Sequence, residues 1–202
     1  MFLDRNKTEN HLISSLKETL LENGGCLISD KNLFLTVDQW QVLNHEAHNL
    51  NYKKNTNLQE TPHLLKVSTI KTSKVGTILN KVIYDVLNSV QLRSLIFEIT
   101  GLHHFNIDQC EAHLYEKGDF SSSRWNRDNF KSYQYIISLF LEGAYRGGEQ
   151  VISRHGQEKV IYTPQSEEIF IISCDYDHEV KPIIHGNRNL VLGFIQPLAE
   201  YF

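Results

Sequence analysis

Two residues in the last third of the chain have side chains and a spacing suited to chemistry. His178 stands in Asp177-His178-Glu179-Val180-Lys181-Pro182, and Arg188 closes Gly186-Asn187-Arg188 ten positions later. An imidazole can hold a metal, accept a proton or donate a hydrogen bond. A guanidinium grips a carboxylate with two parallel N–H donors. Near the end of a strand-rich segment, the pair suggests a metal ligand and a carboxylate clamp in one barrel. Upstream lies Tyr115-Glu116-Lys117-Gly118-Asp119-Phe120, and His113 precedes Tyr115 by two positions. On a strand those two side chains face the same way. Arg124-Trp125-Asn126 follows a run of three serines.

The elements that must position these groups divide the chain in two. The first half reads as mainly helical. Thr8 is placed to cap a helix carrying Leu12, Ile13, Leu16, Leu20 and Leu21, and Gly24-Gly25 supplies its stop. Thr36 with Gln39 has capping-box spacing ahead of Trp40, Val42, Leu43 and Ala47. Asn49 to Pro62, rich in Asn, Lys and Thr, reads as a surface loop. A helical region is expected from about Val75 to Thr100, with Gly101 as terminator, a break at Asn88 and a restart at Ser89. From about Gln109 the texture turns to short β-branched and aromatic runs, among them Tyr133 to Phe140, Glu168 to Ser173 and Asn189 to Ile195. Many short strands at close spacing imply two packed β layers. The expectation is one α+β domain, with residues 1–105 as a mainly helical support and 106–202 as a jelly-roll, cupin-like barrel.

Composition narrows the function classes. Of the 202 residues, 41% are hydrophobic and 22% charged, which suits a globular chain with a real core. A formal net charge of -4 without a Lys/Arg block gives no reason to expect nucleic acid as a partner. No apolar run is long enough for a membrane span. The first residues, Met1-Phe2-Leu3-Asp4-Arg5, are charged where a signal peptide needs an apolar stretch. Cys26, Cys110 and Cys174 are widely spaced and form no CxxC pair. Together these lead to a cytoplasmic location as the expectation. No phosphate-binding loop, HExxH or nucleophile elbow is present.

The His178 and Arg188 segment resembles the distal half-site of the prolyl 4-hydroxylase-like branch of the 2-oxoglutarate/Fe(II) oxygenases. Ile99-Thr100-Gly101, Gly118-Asp119-Phe120 and Gly147-Gly148-Glu149 resemble the same pattern and fall in the family's order. The resemblance implies a double-stranded β-helix, hydroxylation or related oxidation of an amino-acid side chain or small metabolite, and 2-oxoglutarate with Fe(II) as cofactors. It implies that His178 holds the metal, that Arg188 clamps the far carboxylate of 2-oxoglutarate, and that Tyr115 assists it. It also implies His-x-Asp where this chain has Arg124-Trp125-Asn126. A guanidinium has no lone pair for a metal, and an amide oxygen is a weaker ligand than a carboxylate. Two alternatives follow. Either His113, His178 and an aspartate such as Asp177 form a rearranged metal site, or Arg124 and Arg188 hold an anionic ligand without metal while His178 acts as a base or hydrogen-bond donor.

Overall fold

A computed structural model describes residues 7–30, 33–56, 59–61, 64–66, 69–75, 80–123, 132–154 and 158–198. In chain order it runs α1 (Lys7–Asn23), β1 (Gly25–Ile28), α2 (Val37–His48), then four strands, β2 (Lys53–Thr56), β3 (Gln59–Thr61), β4 (Leu64–Lys66) and β5 (Thr69–Val75). Next come α3 (Lys81–Leu87), α4 (Val90–Thr100), the long β6 (Phe105–Tyr115) and the short β7 (Ser121–Ser123). The remainder is all β: β8 (Tyr135–Phe140), β9 (Tyr145–Gly147), β10 (Gln150–Ser153), β11 (Val160–Tyr162), β12 (Ile169–Ser173), β13 (Asp177–Val180), β14 (Ile183–Gly186) and β15 (Arg188–Pro197).

Local chemistry accounts for the helix ends. Thr36 and Gln39 form the expected capping box, with Gln39 N donating to Thr36 Oγ1 at 3.2 Å and Thr36 N donating to Gln39 Oε1 at 2.9 Å. Each satisfies an amide that helix geometry leaves without a partner. Asn80 caps α3 and Ser89 caps α4, so the break expected at Asn88 falls between two separately capped helices. Gly101 ends α4 at φ +77°, in the left-handed region that glycine enters without a Cβ clash.

A seven-stranded antiparallel sheet has the order β1-β12-β8-β15-β6-β5-β2, and a four-stranded sheet has the order β11-β10-β13-β7. The helices cover one face of the large sheet. Leu16, Leu20, Trp40, Leu43, Leu95 and Ile96 pack there against Ile137, Leu139, Ile171 and Val191. The opposite face meets the small sheet, with Phe140, Phe170, Leu190 and Phe194 packed with Ile152 and Val180. Buried on both faces, β8 reads as an apolar run interrupted at Ser138, Ile136-Ile137-Ser138-Leu139-Phe140.

Two expectations need correction. The segment read as a loop from Asn49 to Pro62 contains β2 and β3, and β2 is the edge strand of the large sheet, paired to β5. Its polar composition fits an edge strand, which leaves one side of its backbone unpaired in the sheet. The first 105 residues are also more than helical support, because β1, β2 and β5 all join the large sheet. Cross-strand pairing brought these short segments into the sheet, and local periodicity over three to seven residues carries little of that information. Ile78 and Leu79, expected to be helical, lie outside the described residues.

Candidate functional site

The site lies between the two sheets, where β6, β13 and β15 converge. Arg188 opens β15 and is the cross-strand partner of Tyr115 at the end of β6. Its side chain is 1% exposed. The guanidinium carbon lies 4.7 Å from the Tyr115 ring centre and 5.1 Å from that of Phe140, so two aromatic faces hold the cation. Nη1 donates to the carbonyl of Gly148. Among the described residues, Nε and Nη2 are buried with no hydrogen-bond partner. Those two nitrogens form one edge of the guanidinium, the edge that accepts a carboxylate in a two-pronged grip. A buried charged donor without an acceptor costs free energy, a cost that a bound acceptor would offset.

The Gly147-Gly148 pair makes the arrangement possible. Both have positive φ, +81° and +74°. A Cβ on Gly148 would stand 3.1 Å from Arg188 Nη1 and would collide with Ile183, and one on Gly147 would strike the Pro182 carbonyl oxygen. Gly118-Asp119-Phe120 has a similar supporting role. Gly118 N donates to Ile183 O at 2.8 Å and Ile183 N to Asp119 O at 3.0 Å, which ties the turn after β6 to β14. The buried Asp119 carboxylate then accepts from Glu116 N at 2.9 Å and closes the turn.

Tyr115 faces inward as expected. Burial raises the pKa of its hydroxyl, against the lowering pull of Arg188. Tyr145 is pushed up to about 12, again chiefly by burial. Burial also lowers the pKa of Arg188 from its usual range, opposed by Tyr115, Tyr145 and Glu149.

His178 lies within β13 rather than after a strand, opposite Ile152 of β10 and Ser123 of β7. Its Nε2 is hydrogen-bonded to Oε1 of Gln150, a residue 2% exposed. Burial first, then the nearby Arg188 charge and His113, push its pKa down to about 3. It is therefore a neutral imidazole at physiological pH. His113 is the cross-strand partner of Leu190, on the same face of β6 as Tyr115, and its ring centre is 6.3 Å from that of Tyr115. The structure thus brings His113, Tyr115, His178 and Arg188 to one region between the sheets.

The proposed aspartate does not join them. Asp177 is adjacent to His178 on β13, and strand alternation sends its side chain to the opposite face. The carboxylate that does lie beside His113 is Glu111, whose Oε2 is 2.9 Å from His113 Nε2. Sequence reading missed Glu111 and Gln150. The alternation Gln109, Glu111, His113, Tyr115 along β6 was a usable signal for Glu111. No local signal pairs Gln150 with His178, which are 28 residues apart. Arg124 and Asn126 lie outside the described residues.

The two groups implied by the resemblance fit unequally. The two unpartnered donors of Arg188 fit a carboxylate such as that of 2-oxoglutarate, with Tyr115 beside them. Iron fits poorly. Among the described residues no three His, Cys, Asp or Glu side chains come together as ligands. The Nε2 of His178 is engaged by an amide oxygen, and Arg124 and Asn126 supply neither an imidazole nor a carboxylate.

Comparison with solved structures supplies the architecture's relatives. An oxidoreductase of the 2OG-Fe(II) oxygenase family from Burkholderia pseudomallei matches with a TM-score of 0.80, covering 91% of this chain and 90% of that one, at 15% identity. The chain has the fold of these oxygenases. A Pseudomonas putida prolyl-4-hydroxylase matches with a TM-score of 0.67 at 17% identity, covering 92% of this chain and 99% of that one. A Trichoplax adhaerens prolyl hydroxylase in complex with a hypoxia inducible factor peptide fragment gives 0.66 at 17% identity, covering 96% and 94%. No family model matches the chain, and no curated protein matches it.

Proposed function

We propose that this chain binds a small carboxylic acid of the 2-oxoglutarate type between the sheets of a jelly-roll, double-stranded β-helix, without an oxygenase-type iron centre. One observation carries the reading. Arg188 is buried against Tyr115 and Phe140, and Nε and Nη2, on one edge of its guanidinium, have no partner among the described residues. A bound carboxylate accepts both N–H groups and neutralises the charge, and the surrounding aromatic rings exclude water from the contact. His178, neutral and hydrogen-bonded to Gln150, then orients the ligand by hydrogen bonding rather than by holding a metal. On this reading the protein is a ligand-binding descendant of the oxygenase fold.

A second reading has its own support. Fold likeness at a TM-score of 0.80 over about nine-tenths of both chains favours an active oxygenase on an amino-acid side chain or small metabolite, with a non-standard metal site. One anaerobic titration separates the two. Fe(II) and 2-oxoglutarate are added to metal-free protein while bound metal and the metal-to-ligand charge-transfer band are followed, with calorimetry for the organic acid. The binding-protein reading expects saturable 2-oxoglutarate uptake without iron, lost in Arg188→Ala. Stoichiometric iron with the charge-transfer band, and succinate release on admitting air, would sink it in favour of the oxygenase.

A further inference from the structure

β1 and β11 are the end strands of their sheets, and Tyr162 of β11 joins them by donating its hydroxyl to Gly25 O at 2.6 Å. Asn23 hydrogen-bonds the same Tyr162 and so holds the end of α1 against β11. Between α1 and the β10–β11 hairpin lies a cavity of about 480 Å3, a size common for small-molecule sites. Val160 and Ile161 supply its apolar wall, and Tyr176 stands in its polar one. A Cβ on Gly24, whose φ is +73°, would stand 2.3 Å from the Tyr176 ring, so the ring can lie on this backbone because the residue is glycine. The Arg154 guanidinium carbon lies 5.7 Å from the centre of that ring, within cation–π range. This stack gives an exposed arginine a preferred position and leaves its N–H donors free. Arg154, Lys159, Glu22 and Glu158 all line the cavity, yet among the described residues none of the four makes an ion pair. The last turn of α1 has no basic residue, so the negative end of the helix dipole adds to the Glu22 charge.

We propose that this cavity binds a short zwitterion with an apolar side chain, an α-amino acid or a small peptide, independently of any acid held by Arg188. The ligand's carboxylate meets Arg154 and Lys159, its ammonium group meets Glu22 and Glu158, and its side chain lies on Val160 and Ile161. Two cations and two carboxylates without partners match a ligand that carries one charge of each sign. A ligand with a single charge leaves half of them unpaired, and one with two like charges is repelled by the other half.

Calorimetric titration at neutral pH tests this with leucine, leucylglycine, isocaproate and isoamylamine as probes. The better of the two zwitterions is expected to bind about fivefold tighter than either singly charged analogue, the effect of one further solvent-exposed charge contact. A preference for leucine assigns the free amino acid, and one for leucylglycine assigns a peptide. Arg154→Gln should weaken the zwitterion and isocaproate alike and leave isoamylamine unchanged. Glu22→Gln combined with Glu158→Gln should weaken the zwitterion and isoamylamine and leave isocaproate unchanged. All three side chains are exposed, and a fold defect would weaken every probe rather than follow the charge. Equal affinity for the four probes, no binding of any, or affinities that ignore these substitutions overturn the proposal. Saturating 2-oxoglutarate should not displace the zwitterion. Displacement would move it to the Arg188 clamp and overturn the separate site, while failure of 2-oxoglutarate to bind would count against the clamp alone.

Discussion

The two faces of the large sheet are made by the same strands and have opposite characters. Toward the helices, β6 and β15 present Ile107, Cys110, Ala112, Val191 and Ile195, an apolar surface closed by α1, α2 and α4. Toward the small sheet, they present Gln109, Glu111, His113, Tyr115 and Arg188 beside Leu190, Leu192 and Phe194. One face is a solved packing problem. The other holds a buried cation with two unsatisfied donors, a carboxylate–imidazole pair and a neutral histidine. Strand period makes this division possible, because neighbouring residues serve different solvents without interfering. Groups that cost stability are gathered on the face where a ligand can offset the cost.

Substitution breaks the comparison most sharply. Leu139→Ala on the helix-facing side leaves a cavity in a closed core and is expected to cost about 2–5 kcal/mol in chemical denaturation. Arg188→Met on the other face removes two orphaned donors along with the Gly148 contact. It is expected to leave ligand-free stability unchanged or raised by about 1–2 kcal/mol. A loss as large as that of Leu139→Ala would show that the inner face is ordinary core and not a site held open for a ligand.

Acid titration gives the next effect. The folded-state pKa of His178, about 3, lies below the ordinary 6.5, so the unfolded chain binds a proton that the folded chain refuses. The resulting stability is complete above pH 6.5 and is lost as pH falls toward 3. The ring keeps partial solvent contact, which limits the loss to the order of a few kcal/mol. Urea unfolding of wild type and His178→Gln at pH 7 and pH 4.5 measures it. Parallel pH dependence in the two proteins would remove His178 as its source. The smallest effect belongs to the helical layer. Thr36→Ala removes half of a capping box and should lower stability by about 1 kcal/mol, with no change in carboxylate affinity.

Local rules made much of the scaffold legible. The α2 capping box, the Asn88–Ser89 break and the longer strands follow from side-chain chemistry within a few residues, and all are present. The motif singled out Arg188 and Tyr115 together, and the register sets them directly opposite each other. Short strands such as β9 owe their existence to pairing partners far along the chain. Tyr145, for example, lies opposite Gly186.

The sequence by itself determined the chemistry on offer. It placed a guanidinium at Arg188, imidazoles at His113 and His178, and Arg124-Trp125-Asn126 after the serine run. Tertiary structure decided which of those groups meet and in what state. It left one edge of Arg188 without a partner, tied His178 to Gln150, turned Asp177 away and put Glu111 beside His113. The physical reason is that side-chain type is a local property, whereas burial, hydrogen-bond direction and charge state depend on residues that only strand register brings within reach.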